Sequence, residues 1–184
     1  MKSRSDGPSV ITMKLNDKLE AAFNEQITLE FEASLVYRQL AIELELKDLP
    51  GMAAWLRHQA DEEIVHANKF IDNLVDRGNH AQIGKINSPQ LDTASALDVF
   101  KAAYAHEQRV SESIRALYRT TEEAGDLDSR PLLNWFISEQ IEEEATVSEI
   151  VGRLEMIGDD GTGLLRLDSE LATRQPPAAA GPGA

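Results

Sequence analysis

Apolar residues return at intervals of three and four through four long stretches of this chain. That spacing predicts amphipathic α-helices and leaves no room for the alternation of a half-buried strand. The first stretch, from about Met13 to Leu46, lines up Leu15, Leu19, Ala22, Gln26, Glu30, Ala33, Tyr37, Leu40 and Leu44. Asp48-Leu49-Pro50-Gly51 interrupts it, as proline near a helix start does. A second runs from about Pro50 to Arg77 through Met52, Leu56, Gln59, Glu63, His66, Phe70 and Leu74, and stops at Gly78-Asn79. The third carries Leu97, Phe100, Tyr104, Glu107, Ser111, Ile114 and Tyr118 and ends near Gly125. Leu132, Phe136, Gln140, Glu143, Val147, Ile150 and Leu154 mark the fourth, which ends near Gly158. Residues 161–171 read as one short amphipathic helix with Leu164, Leu167 and Leu171 on one side.

Repeats near 3.5 residues suit helices packed at about 20° in a bundle, so the fold class is all-α, a four-helix bundle with a short fifth helix. The first and last pairs have short joints and form antiparallel hairpins. Between the second and third helices lie 15 residues of turn composition, 78–92. Extended, such a segment reaches about 50 Å, longer than the second helix at about 42 Å. It can therefore travel the length of the bundle as a crossover and make the second and third helices parallel.

Composition adds limits. The chain has 184 residues, most simply one domain over 13–171, with a flexible N-terminal segment at 1–12 and a Pro/Ala/Gly-rich disordered tail at 172–184. With no cysteine there is no disulfide framework, thiolate metal site or cysteine nucleophile, and any metal must bind through carboxylate or imidazole. Thirty-two acidic against 18 basic residues give a net charge of −14, which argues against nucleic acid as a partner. No apolar run approaches a membrane span, and the N-terminus lacks the apolar segment of a secretory signal, so the expected address is the cytoplasm.

The stripes are apolar toward their ends and polar at their centres. Those centres are Glu30, Glu63 with His66, Glu107, and Gln140 with Glu143. Each lies about half-way along its helix, so they meet at one level whichever way the helices run. One mid-helix glutamate ordinarily sits on a solvated face, but four at matched depth, with no Lys or Arg on the stripes, describe a buried cluster of like charges. A multivalent cation resolves that cluster, because it pairs several carboxylates at once. Oxygen donors with one imidazole suit iron or manganese, zinc less specifically, and calcium or magnesium less well. Glu63 and His66 stand i,i+3 and face one side of their helix. The economical arrangement is two ions sharing Glu63, one completed by Glu30 and His66 and the other by Glu107 and Glu143. Tyr37 is either a packing aromatic or a hydrogen-bond donor or electron source beside the ions. Glu62, Glu139, Glu142 and Glu144 flank the stripes as a solvated acidic face. Trp135 reads as packing, Trp55 as core or interface, and His58, His80 and His106 carry no assigned role.

At these residues the chain resembles the non-haem ferritins of bacteria over about Leu15 to Leu171. The resemblance rests on Asn24-Glu25-Gln26 with Glu30 and Tyr37, on Glu62-Glu63-Ile64-Val65-His66, on His106-Glu107-Gln108, and on Trp135 through Ser138 to Glu144. Di-iron proteins of the broader ferritin-like group carry two Glu-x-x-His motifs; the fourth helix here has Gln140-x-x-Glu143 in place of the second, as ferritins proper do. Ile64 stands where bacterioferritins place a haem-ligating methionine, so no haem is expected. The resemblance implies Fe(II) oxidation by dioxygen or peroxide at a di-iron ferroxidase centre of Glu30, Glu63, His66, Glu107, Gln140 and Glu143 with Tyr37. It also implies a further iron site near Glu62, Glu139 and Glu142, and a homo-oligomeric shell of 24 subunits that stores ferric mineral. Two other readings compete: a di-iron oxidase acting on an organic substrate, and a metal-free helical interaction module.

Overall fold

The computed structural model describes residues 13–91 and 93–173. The expected flexible segment at 1–12 lies outside the described residues, as does the expected tail from 174 onward. Among the described residues five helices follow in order: α1 Asp17–Glu45, α2 Pro50–Asp76, α3 Ala96–Glu123, α4 Arg130–Ile157 and α5 Gly161–Leu171. Ala172, assigned to the tail by composition, instead closes α5 as its C-cap.

Local chemistry sets the helix starts. Expected from Met13, α1 begins only at Asp17, because the Asn16 side chain accepts the Leu19 N–H at 3.0 Å and caps the first turn. The preceding Leu15 is still buried, its backbone N–H and C=O both bonded to the Asn79 side chain. Ser95 and Asp98 form a capping box for α3. Leu49, the N-cap of α2, makes no side-chain cap bond. Its role is filled from 116 residues away, where Asp168 of α5 accepts the Met52 N–H at 2.8 Å.

Contacts between helices fix the topology. Ser34 donates to the Ala60 carbonyl, Ser113 reaches Gln26, Arg109 reaches Glu32, and Gln59 reaches Glu143. Together with Arg57 on Glu45, Phe70 on Phe136, Gln140 on Glu107 and Lys101 on Glu155, these contacts pair rising numbers on one helix with falling numbers on the other. Thus α1 is antiparallel to α2 and α3, α4 is antiparallel to α2 and α3, and α2 runs parallel to α3. The crossover that permits this is fastened along α1: Asn24 bonds the His80 carbonyl and the Gln82 N–H, and Thr28 Oγ1 accepts from Gly84 N–H at 2.8 Å. Gly84 suits this close approach, since a Cβ would stand 3.0 Å from that hydroxyl.

The core divides into two apolar blocks. One holds Leu40, Leu44, Met52, Trp55, Leu56, Phe100, Ile150 and Leu154, and α5 closes it with Leu167 and Leu171. The other, toward the opposite end, holds Leu19, Phe23, Ile27, Phe70, Leu74, Val110, Ile114, Leu133 and Phe136. Leu97, Tyr104, Tyr118 and Leu132, expected on the stripes, flank these blocks, and Val99, Ala103, Leu117 and Leu133 take the buried positions. Between the blocks lies the polar layer.

Candidate metal centre

Every helix of the bundle contributes one turn to that layer. Glu30 on α1, Glu63 and His66 on α2, Glu107 on α3, and Gln140 and Glu143 on α4 are all buried, Glu30 and Glu107 at 0% exposure. Tyr37, one block edge away on α1, is also fully buried. Glu30, Glu63 and His66 each turn a ligand atom into a common space, those atoms lying within 4.8 Å of one another. Glu107 and Glu143 stand outside that group and are held by neutral donors. The Tyr37 hydroxyl donates to Glu107 Oε1, and Gln140 Nε2 donates to Glu107 Oε2 at 3.0 Å. Gln59 Nε2 donates to Glu143 Oε2 at 2.8 Å.

The layer's electrostatics follow from burial without counter-charge. Desolvation, then the charge of Glu63, pushes the Glu30 carboxyl well above its ordinary 4.5. Burial and then Glu107 do the same to Glu63, and likewise to Glu143. Glu107 also rises through burial, against the opposing hydrogen bonds of Tyr37 and Gln140. Burial followed by the Glu107 charge raises the Tyr37 phenol, which stays protonated and serves as a donor. Among the described residues no Lys or Arg shares the layer, so without a cation these groups keep protons that they would release in water. The atoms left over are instructive: His66 Nε2 is buried with no hydrogen-bond partner, and Glu30 Oε2 has none beyond the proton that Glu30 and Glu63 share. Carboxylates and an imidazole with unused lone pairs, in a layer that lacks positive charge, fit a divalent transition metal such as iron.

The flanking acids divide. Glu142 is exposed, as expected for a solvated face, whereas Glu62 and Glu139 are half-buried; burial and then the charge of Glu139 raise Glu62, and burial and then the charge of Glu142 raise Glu139. Burial lifts Glu62 to about 7, and its Oε2 is enclosed without a partner. Trp135 packs edge-on to His66 at 5.6 Å and lies beneath Lys69, whose ammonium stands 4.4 Å from the ring centroid. Trp55 is core, packed on Phe100. His58 and His80 are exposed. His106, given no role by the sequence, is buried beside Tyr37, with its Nδ1 3.3 Å from the Arg109 guanidinium. Burial and then Arg109 lower it to about 4, so it is neutral at physiological pH.

Sequence reasoning placed Gln26 and Gln59 on the stripes without giving them work. Gln26 Nε2 donates to Glu30 Oε1 at 2.7 Å. Both amides stand four residues before a layer glutamate, one turn along the same face, and that i,i+4 spacing was the available signal.

Known proteins resemble this chain over most of its length. The family model described as Ferritin-like domain matches residues 20–157. The bacterial non-heme ferritin of Escherichia coli is 34% identical over 159 residues, covering 86% of this chain and 96% of that one. That of Staphylococcus epidermidis is 35% identical over 160 residues, covering 87% and 96%. Among solved structures, an open pore ferritin from the archaeon Archaeoglobus fulgidus is 33% identical with a TM-score of 0.86, covering 88% of this chain and all of that one.

Proposed function

The chain belongs to the ferritin family, and on that premise we propose that it stores iron after oxidising Fe(II) at the centre of its own bundle. The observation that carries this reading is the group formed by Glu30, Glu63 and His66 inside a carboxylate layer with no Lys or Arg to neutralise it. Fe(II) enters as substrate, and carboxylates that are protonated in the empty layer release protons to bind it. Glu30, Glu63 and His66 hold the first ion. Glu63, Glu107 and Glu143 hold the second, which requires Glu107 and Glu143 to give up part of their bonding to Tyr37, Gln140 and Gln59. Dioxygen or peroxide takes one electron from each of the two ions, so each event yields two Fe(III) and one two-electron-reduced oxidant. Tyr37 keeps Glu107 oriented while the charge beside it changes, and Gln140 does so from α4.

Half-buried Glu62 and Glu139, with exposed Glu142 beyond them, form the acidic route by which ferric product leaves for storage, and a third ion binds there. The gradient of burial from Glu30 outward supports that order: enclosed carboxylates give way to half-buried and then to open ones. Storage needs an enclosed volume, and the assembly we propose is a closed shell of about 24 copies, the family's arrangement. No helix among the described residues is long and apolar enough to cross a membrane, and the working compartment we propose is the cytoplasm.

Anaerobic titration tests the reading directly. About two Fe(II) per chain should bind tightly, and ferric absorbance should appear rapidly on admitting air. A stoichiometry below one, with no ferric absorbance, overturns it.

A further inference from the structure

One buried chain of hydrogen bonds reaches the metal group from outside the ligand set. Gln26 lies one turn before Glu30 on α1, buried at 2% exposure. Its Nε2 donates to Glu30 Oε1 at 2.7 Å, and its own Oε1 accepts from Ser113 Oγ on α3 at 2.6 Å. Metal binding fixes the direction of this relay: once Glu30 has released its proton to an arriving ion, the ionised carboxylate can only accept, so the amide turns its NH2 to Glu30 and its carbonyl away. Buried, that carbonyl needs a donor, and the Ser113 hydroxyl supplies it. A residue of α3 thus fixes the amide, and the amide fixes the rotation of the Glu30 carboxylate. One oxygen of Glu30 is thereby engaged, and the other, Oε2, has no amide, hydroxyl or backbone donor and meets only the proton shared with Glu63 in the empty layer.

We propose that Gln26, set by Ser113, is a positioning residue that presents a single oxygen of Glu30 to the first Fe(II) ion; this rests on the reading of Glu30, Glu63 and His66 as its ligands. The choice of an amide has a physical reason. Lysine or arginine would hold the carboxylate equally well, but its charge would repel the arriving cation. An apolar residue would leave the carboxylate free to rotate and without a donor. A neutral donor orients the ligand and leaves its charge for the metal. Partners of this kind, one step behind a ligand, typically change metal affinity by about 10- to 100-fold when removed.

The test compares the full-length parent with Gln26→Leu and Ser113→Ala, titrated with Fe(II) under argon and separately with Co(II), whose visible spectrum reports ligand geometry. Gln26→Leu should weaken the tightest Fe(II) by about tenfold or more and change the Co(II) spectrum. It should raise KM for Fe(II) more than it lowers kcat. Ser113→Ala should move the same quantities in the same direction by less, with particle size and the apo melting temperature as in the parent. Parent-like affinity and Co(II) spectra in both variants overturn the proposal, as does a lower apo melting temperature with affinity unchanged, which would make Gln26 a packing residue. Should Gln26→Leu fail to assemble, Ser113→Ala decides by the same criteria. A parent that binds neither ion brings down the ferroxidase reading itself, a result distinct from parent binding that both variants share.

Discussion

Glu107 shows how one side chain can be costly and necessary at once. Without metal it is a carboxyl in a desolvated layer with three others, steadied only by Tyr37 and Gln140. Glu107→Gln removes a like charge and keeps an acceptor for the Tyr37 hydroxyl, so the apo protein should melt at the same temperature or higher. With Fe(II) present the same change removes a ligand, and the stabilisation conferred by the second ion should be lost while oxidation slows markedly. Paired anaerobic melts and oxidation rates check this. Strong apo destabilisation with normal oxidation would make Glu107 structural instead.

The same carboxyls set the pH dependence. Glu30, Glu63 and Glu143 hold their protons more tightly folded than unfolded, above the ordinary 4.5, and Glu62 does so up to about 7. Above pH 4.5 the folded apo protein therefore binds more protons than the unfolded chain. This contribution to stability is fully present below 4.5 and is lost as pH rises through the raised values. Melting of the apo protein should drop as pH climbs from about 5 to about 8, and saturating Zn(II) should flatten or reverse that slope. A rising apo slope would show that the layer is not the dominant titrating unit.

At the scale of elements, α5 is bolted to its own bundle. Asp168 caps α2, Leu167 and Leu171 enter the core, and Arg153 meets both carboxylate oxygens of Glu170 at 2.6 Å. Gly51 makes the fit possible, because a Cβ there would lie 2.0 Å from the Asp168 carbonyl oxygen. Asp168→Ala should lower stability by about 1 kcal/mol, as loss of an N-cap does. Gly51→Ala should cost more and loosen α5, read as faster proteolysis within 161–171. Equal protease resistance in Gly51→Ala and parent would show that α5 is held by other contacts.

For the whole molecule, docking α5 inward leaves its other side for neighbours. Leu165 at 59% and Met156 at 82% exposure are apolar groups that a lone chain would leave in water. Light scattering should accordingly report a particle of hundreds of kilodaltons at micromolar concentration. Leu165→Glu with Met156→Glu should yield smaller species while each chain keeps its helical content. A monomeric or simply dimeric parent would count against a storage shell.

The sequence by itself determined the number of helices, their ends to within a few residues, the crossover, and the matched depth of Glu30, Glu63, Glu107 and Glu143. All of these follow from local rules: a 3.6-residue period, Gly and Pro as punctuation, and residue counts along rods of fixed rise. Tertiary structure alone decided the rest. A residue advances about 100° around a helix, so periodicity could not tell Leu132 from Leu133, or Tyr104 from Ala103, as the one facing inward; the neighbouring helix chose. It also chose the partners. Gln26 meets Ser113 from 87 residues away, Gln59 meets Glu143 from 84, and Asp168 caps α2 from 116. His106 is buried because the crossover, α1 and α3 close around it. Contacts at such separations leave no periodic trace in the chain, since each depends on how one rod is rotated and seated against another.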